Sequence, residues 1–454
     1  MSRIFGRSKE LFLLLCSAGL LLLMLFSLEL SQGRILTAEL LYLVGGFILV
    51  YGIAHVAIGL LAPHADQTML PVVSLLNAMG LVMLYRLGFA DGVSLANRQM
   101  IWSLVGVVLM VLTLAIVRDH KSLSRYSYLL GILGLILLAL PLVWPQPPEV
   151  NERIWIWIGP FSLQPGEFSK ILLLIFFAQL LTQKRALFTV AGKRFMGLTF
   201  PRLRDLAPIL IVWAIAILIM AVSDDFGPAL ILFATVLAML YFATGRTSWL
   251  LIGGGLLAIG GYAVYTVSSK IQDRVANFLD PLANFESFGY QPSQALFGLS
   301  WGGLTGTGLG YGHPDLIPVA ESDYILAALG EELGLVGVAA VLSLFAILVT
   351  CGFRASLQVR DTYGKLLAAG LATTIAIQIF VVAGGVSAML PMTGLTTPFM
   401  SAGGSSVMAN YILLGLLLRV SNSANRPAEY DEGVMRKAPG SARRVSAQPA
   451  GVGA

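Results

Sequence analysis

Charge is what this sequence has least of. Asp, Glu, Lys and Arg make up 12% of its 454 residues, about half of the roughly 25% usual in soluble domains. So few charges cannot clothe a globule, which excludes a soluble enzyme, a disordered chain and a fibrous one. Cysteine is nearly absent too. Cys16 and Cys351 both fall in or beside apolar stretches, so no disulfide framework is implied. The four histidines, His55, His64, His120 and His313, do not cluster. No metal-ligand spacing, Ser-His-Asp arrangement or phosphate-binding loop is visible. The net charge of +5 is not a nucleic-acid signal, because basic loops in such a chain set its orientation first.

What is present is hydrophobic: 57% of residues and a mean hydropathy of +0.82. The apolar runs are continuous and about 20 residues long, as helical membrane spans require. Barrel strands would alternate apolar and polar residues instead. The reading is an all-α, polytopic membrane protein with about twelve spans. Arg3, Arg7 and Lys9 precede the first run, but its end is a poor cleavage site, so we read an uncleaved span. Most of the 29 lysines and arginines then fall in loops on one side. That bias predicts a multi-pass protein of the plasma membrane with both termini cytoplasmic. Residues 421–454, rich in Ser, Pro, Ala and Arg, read as a disordered cytoplasmic tail. Residues 268–323 form the longest non-spanning loop, facing outward and rich in Gly, Pro and aromatics. Long loops of that kind are usually functional.

Polar residues at the outer span ends are costly and therefore candidates for function. Asn151 to Lys170 places Gln164, Glu167 and Lys170 at a helix entry, where Glu167 and Lys170 share a face and can pair. A structural ion pair and a phosphate-binding lysine are equally compatible with that spacing. Asp224 and Asp225 sit in a very short outer turn, where carboxylates also serve as helix caps. The large loop adds Arg274, Asp280, Asn284, Glu286, Gln291 and Asp323. Gly306, Gly308 and Gly310 follow no βαβ strand, so they are no dinucleotide fingerprint. Glu331 and Glu332 open a predicted span at Gly334–Thr350, again with a capping alternative. The run from Thr393 to Ser406 puts Gly and Ser at membrane depth, as close helix packing or a re-entrant turn lining a cavity would. On residue chemistry alone, the outward site suits an anionic lipid-linked substrate or a transported solute.

At these clusters the sequence resembles the SEDS family (shape, elongation, division and sporulation), known for FtsW, RodA and SpoVE, and most of all its actinobacterial RodA-type members. The family's QPSE-x-x-K motif appears as Gln164 to Lys170 with Gly166 in place of Ser. Its P-D-L-G appears as Ser223 to Gly227, with Asp225 the matching acid, and G-Y-Q-x-x-Q as Gly289 to Gln294. The G-x-G-L-G to G-E-E-L-G run spans Gly306 to Gly334. The S-Y-G-G-S-S signature ends at Ser406, with Ala402 in place of Tyr. The resemblance implies residues 1–65 as an extra N-terminal helix pair, 66–420 as the membrane core and 421–454 as a tail. It implies a peptidoglycan glycosyltransferase that polymerises lipid II at the outer membrane face. Expected partners are a class B penicillin-binding protein and the elongation or division machinery. A divalent cation, Mg or Mn, is left open. Arg153, Lys170 and Arg274 would neutralise the pyrophosphate. Gln164, Glu167, Asp225, Gln291, Asp323 and Ser405 would meet substrate. The family's essential loop aspartate falls at Asn284, so Glu286, then Asp280, becomes the expected base. The alternatives are a non-catalytic paralogue that binds lipid II or scaffolds a transpeptidase, and a flippase or transporter.

The orientation is testable in a cysteine-free background. Cysteines placed at Ser287 and Ser441 should label from opposite sides of the membrane. Labelling of both from outside would contradict the charge-bias assignment.

Overall fold

A computed structural model describes residues 6–34, 37–91, 94–146, 153–159, 161–190, 192–195, 198–201 and 203–427, without the side chains of 90–91 and 186–209. Asn151, Glu152 and the predicted tail from residue 428 lie outside the described residues. Helices dominate, as the apolar runs require. In chain order they are α1 (Ser8–Ser31), α2 (Ala38–Leu61), α3 (Met69–Asp91), α4 (Leu95–Ile116), α5 (Lys121–Arg125), α6 (Ser127–Val143), α7 (Pro165–Val190), α8 (Leu203–Val222), α9 (Phe226–Thr244) and α10 (Ser248–Val267). After them come α11 (Ser269–Leu279), α12 (Tyr290–Gly302), α13 (Ile325–Gln358), α14 (Thr362–Val386) and α15 (Gly404–Ala424). Two short antiparallel hairpins interrupt them: β1 (Ile156–Ile158) with β2 (Phe161–Leu163), and β3 (Gly192–Phe195) with β4 (Leu198–Pro201). Among the described residues, ten helices are long and apolar enough to cross a membrane, and Ser127–Val143 and Leu210–Val222 are shorter apolar segments.

The bundle grades from buried to lipid-facing. Helices α3, α14 and α15 are mostly buried, and α4 packs on α15, α6 on α7, and α13 on α14. Helix α10 is almost wholly exposed and touches α9 and α11. Such a helix shields little core, so its apolar surface is turned to lipid.

The buried charge on α1 is paired, as burial demands. Glu10 on α1 is fully buried. It accepts from Arg7 and lies 2.7 Å from His55 Nδ1 on α2. Arg7 also donates to the carbonyls of Pro63 and Ala65, at 3.2 and 2.8 Å. At the other end of α1, Glu29 accepts from the Thr37 and Tyr85 hydroxyls. The first two helices are thus pinned at both ends, and Tyr85 fastens one of those ends to α3.

One helix start and one loop add to the sequence reading. The predicted span at Gly334 begins nine residues earlier, at Ile325, and kinks where Gly334 adopts φ +67°. A Cβ there would meet the backbone of Leu304 and Gly306, because the 303–308 loop hydrogen-bonds the freed carbonyls of Glu331 and Glu332. Those two glutamates are therefore not caps. Glu331 Oε1 accepts from His313 N at 2.6 Å, and buried Glu332 pairs with Arg86 Nε at 2.9 Å. The non-spanning loop 268–323 also holds two helices, α11 and α12.

Removing Arg7 leaves Glu10 buried beside only His55. An Arg7→Met variant should lose about 3–5 kcal/mol of stability, read as a lowered thermal midpoint in detergent. Adding Glu10→Leu should return most of it; no recovery would contradict a buried ion pair.

Candidate functional site

The segment between α14 and α15 returns into the bundle without forming a helix. Three residues in it have positive φ: Ala388, Gly394 and Phe399. Unpaired backbone groups are very costly at this depth, and side chains from four helices supply the partners. Asn77 on α3 donates to Phe399 O at 3.0 Å, and Gln99 on α4 to Ser401 O at 3.0 Å. Gln378 on α14 donates to Thr396 O at 2.9 Å, and Arg274 on α11 to Thr393 O at 3.1 Å. The Ala402 amide donates to Glu321 O at 2.7 Å. At Gly80 a Cβ would sit 2.5 Å from Met400 O, so the turn rests directly on α3 backbone. Asn77 also donates to Ser103 at 3.1 Å, Ser103 bonds Tyr411, and the Tyr411 and Tyr51 hydroxyls are 2.6 Å apart. A buried polar chain thus links the turn to α2. The sequence reading missed it, because a lone Tyr in an apolar run carries no signal of its partner.

This rigid turn forms one wall of a polar cavity of about 270 Å³. Gln164 and Glu167 enter from the start of α7, Asp224 and Asp225 from the α8–α9 turn, Lys270 and Arg274 from α11, and Asp323 from the approach to α13. Ser405 and Ser406 complete the wall, and Ser405 Oγ accepts from Gln164 N at 2.9 Å. All four sequence clusters therefore meet in one space. Asp225 occupies the position before α9 but makes no side-chain capping bond there; its place is on the cavity wall.

A second cavity of about 350 Å³ adjoins the first and shares Lys270, Arg274, Asp323 and Gly394 with it. Asp273, Asn277, Gln291 and Tyr324 line it as well. Burial pushes the Tyr324 phenol well above its ordinary pKa; Asp323 adds to this and Arg274 opposes it. Tyr324 therefore stays protonated and able to donate. On its lipid side the site opens into an apolar groove of about 750 Å³ between α8, α9 and α10, lined by Trp213, Phe233, Leu257, Tyr262 and Met392 among others. Helix α11 divides polar from apolar space. Lys270, Asp273, Arg274 and Asn277 share one face at helical spacing, while Ile271 and Val275 border the groove. Arg274 alone of these borders all three spaces.

Several predicted residues stand elsewhere. Lys170 is buried behind Glu167, with Nζ 2.7 Å from Glu167 Oε2 and 3.4 Å from Gln378 Oε1, and it lines neither polar cavity. Arg153 is exposed at the hairpin, whose Ile154 and Trp155 do reach the cavity. The three loop candidates for the base also lie outside both cavities. Asp280 Oδ1 accepts from Ala283 N at 3.0 Å, and Asn284 donates to Asp280 O at 3.1 Å. Both hold the turn after α11, and Glu286 is exposed. No group of three His, Cys, Asp or Glu side chains close enough to hold a metal ion occurs among the described residues.

The Glu167–Lys170 pair predicts a double-mutant pattern. Lys170→Met alone should lower the thermal midpoint by leaving Glu167 buried and unpaired. Glu167→Gln with Lys170→Met should recover stability. A stable single variant would contradict a structural pairing.

Comparison with known proteins agrees with this architecture. A family model described as cell cycle protein, FTSW_RODA_SPOVE, matches residues 66–426. The chain is 46% identical over 429 residues to the peptidoglycan glycosyltransferase RodA of Mycobacterium tuberculosis strain H37Rv, covering 93% of this chain and 92% of the relative. It is 47% identical over 431 residues to the protein of the same name from Mycobacterium leprae, covering 93% and 91%. A solved chain described under structural coordination of polymerization and crosslinking by a peptidoglycan synthase complex superimposes with a TM-score of 0.64. It shares 26% identity and covers 80% of this chain and 99% of its own length. The chain therefore belongs to the FtsW/RodA/SpoVE family of cell cycle proteins.

Proposed function

We propose that the protein is a peptidoglycan glycosyltransferase that polymerises lipid II at the outer face of the plasma membrane. The observation that carries this reading is the junction at Arg274, where two polar cavities meet an apolar groove. A lipid-linked disaccharide has those three parts: sugars, a pyrophosphate and a polyprenyl tail. The tail lies in the groove, the pyrophosphate against Lys270 and Arg274, and the sugars in the two polar spaces. The mycobacterial relatives named for this activity support it.

Glycosyl transfer forms a bond from the acceptor hydroxyl oxygen to the donor anomeric carbon. The bond from that carbon to the pyrophosphate oxygen breaks, and the leaving group takes the electron pair. A base must accept the hydroxyl proton, and cations must meet the charge growing on the pyrophosphate. Lys270 and Arg274 fill the second role in this reading. For the first, Asp323 is the best placed carboxylate, because it borders both polar cavities. Glu286, the first choice from sequence, sits on the exposed turn and would reach substrate only if that turn folded inward. Gln164, Glu167, Asp225, Gln291 and Ser405 then hold the sugars. A transpeptidase of the class B penicillin-binding type is the proposed partner, in line with the synthase complex that contains the structural neighbour. Any divalent ion, Mg or Mn, would arrive with the pyrophosphate.

Purified protein with its cognate transpeptidase should convert lipid II into a glycan ladder on a gel. Asp323→Asn should cut the rate by about 10²–10⁴-fold, the usual worth of a general base, while lipid II binding persists. Glu286→Gln should stay near wild type. The reverse pattern would move the base to the loop, and an inert wild type would overturn the enzymatic reading.

A further inference from the structure

At the opposite end of the bundle from the polar site lies a cavity of about 680 Å³. Ser405 lines the polar site and Arg419 lines this cavity; at 1.5 Å per residue the two are roughly 21 Å apart along α15. Four basic side chains surround the cavity from four segments: His64 after α2, Arg118 after α4, Arg419 on α15, and Arg426 beyond it. Arg419 is buried and donates to the carbonyls of Leu61 and Leu114. Among the described residues neither Arg118 nor Arg419 forms an ion pair; Asp119 acts on Arg419 from beyond pairing distance. Carbonyl dipoles do not neutralise a buried guanidinium, and a buried charge without a counter-ion is costly.

The walls are already fixed. His64 N donates to Asn422 Oδ1 at 2.9 Å, Asp66 N to Ser421 Oγ at 3.0 Å, and Asn425 to His64 O at 3.1 Å. Arg7 clamps the same loop from below through Pro63 and Ala65 carbonyls. A pre-formed site avoids the ordering cost of binding. Its rim includes Leu60, and Ile116 stands beside it; these are 61% and 78% exposed on the lipid-facing surface. Cations above, apolar side chains below and a fixed wall are the features that hold a lipid headgroup phosphate between helices.

We infer that this cavity binds the phosphate of an anionic phospholipid in the leaflet opposite the polar site. Guanidinium groups grip the phosphate oxygens and the acyl chains run down past Leu60 and Ile116. This site is separate from the one read as catalytic and does not rest on that reading.

The test uses the full chain, delipidated and titrated with phosphatidylglycerol or phosphatidylcholine, with bound lipid counted by native mass spectrometry. Thermal midpoints are measured in nanodiscs of each lipid. Wild type should retain phosphatidylglycerol selectively and gain stability from it. The double variant Arg118→Gln, Arg426→Gln alters exposed side chains, so its midpoint in phosphatidylcholine should match wild type. Its affinity for phosphatidylglycerol should fall about thirtyfold, since each basic residue near an anionic surface is worth roughly fivefold. Equal binding of both lipids, or an unchanged affinity in the double variant, would overturn the inference. So would an equal stabilisation by inorganic phosphate alone, which would assign the site to a soluble anion.

Discussion

A re-entrant segment can exist at membrane depth only if every backbone group in it finds a partner. That constraint organises the half of this protein that holds the polar cavities. The non-helical run between α14 and α15 has its carbonyls taken by Asn77, Gln99, Gln378 and Arg274. Those four side chains come from four helices. Once they are committed, the helices cannot shift relative to one another without exposing a carbonyl to hydrocarbon. The cavity therefore inherits its rigidity from backbone satisfaction, and pre-organised charges act without reorganising during reaction.

The same logic explains where the charges sit. Away from the site, Arg7, Glu10 and His55 neutralise one another, and so do Arg86 and Glu332. Asp224, Asp225 and Asp323 border the polar cavity, and Glu167 does so while paired with Lys170. On the far side, His120 lies 2.8 Å from Asp361. Burial raises the pKa of Asp361, but hydrogen bonds from His120 and the Gly364 amide outweigh it and hold the carboxyl below its usual range. That carboxylate is a fastening for the start of α14.

The architecture was legible because membrane physics leaves few options. Continuous apolar runs gave helices, and Gln164, Glu167, Asp225, Arg274, Asp323 and Ser405, singled out from sequence, line one cavity. What failed to show was tertiary. The kink at Gly334 depends on a loop thirty residues earlier. The choice of Glu286 rested on nearness in sequence, whereas Glu286 and Asp280 line neither polar cavity. Lys270, Asp273 and Asn277 were missed although their spacing with Arg274 is helical. They lie in the non-spanning loop, where no apolar run marks α11 as a helix. The Tyr51–Tyr411 contact joins residues far apart in the chain, and neither side chain announces it.

The central claim is that Arg274 marks where a lipid-linked substrate crosses from groove to cavity. Photo-crosslinking tests it most directly. A photoreactive residue at Tyr262, in the apolar groove, should capture the polyprenyl tail of labelled lipid II. The same residue at Leu41, which is 61% exposed on α2 and lines none of the three spaces, should not. Capture at Tyr262 should be lost when Arg274→Gln removes the anchoring cation. Equal capture at both positions, or capture indifferent to Arg274, would contradict the account.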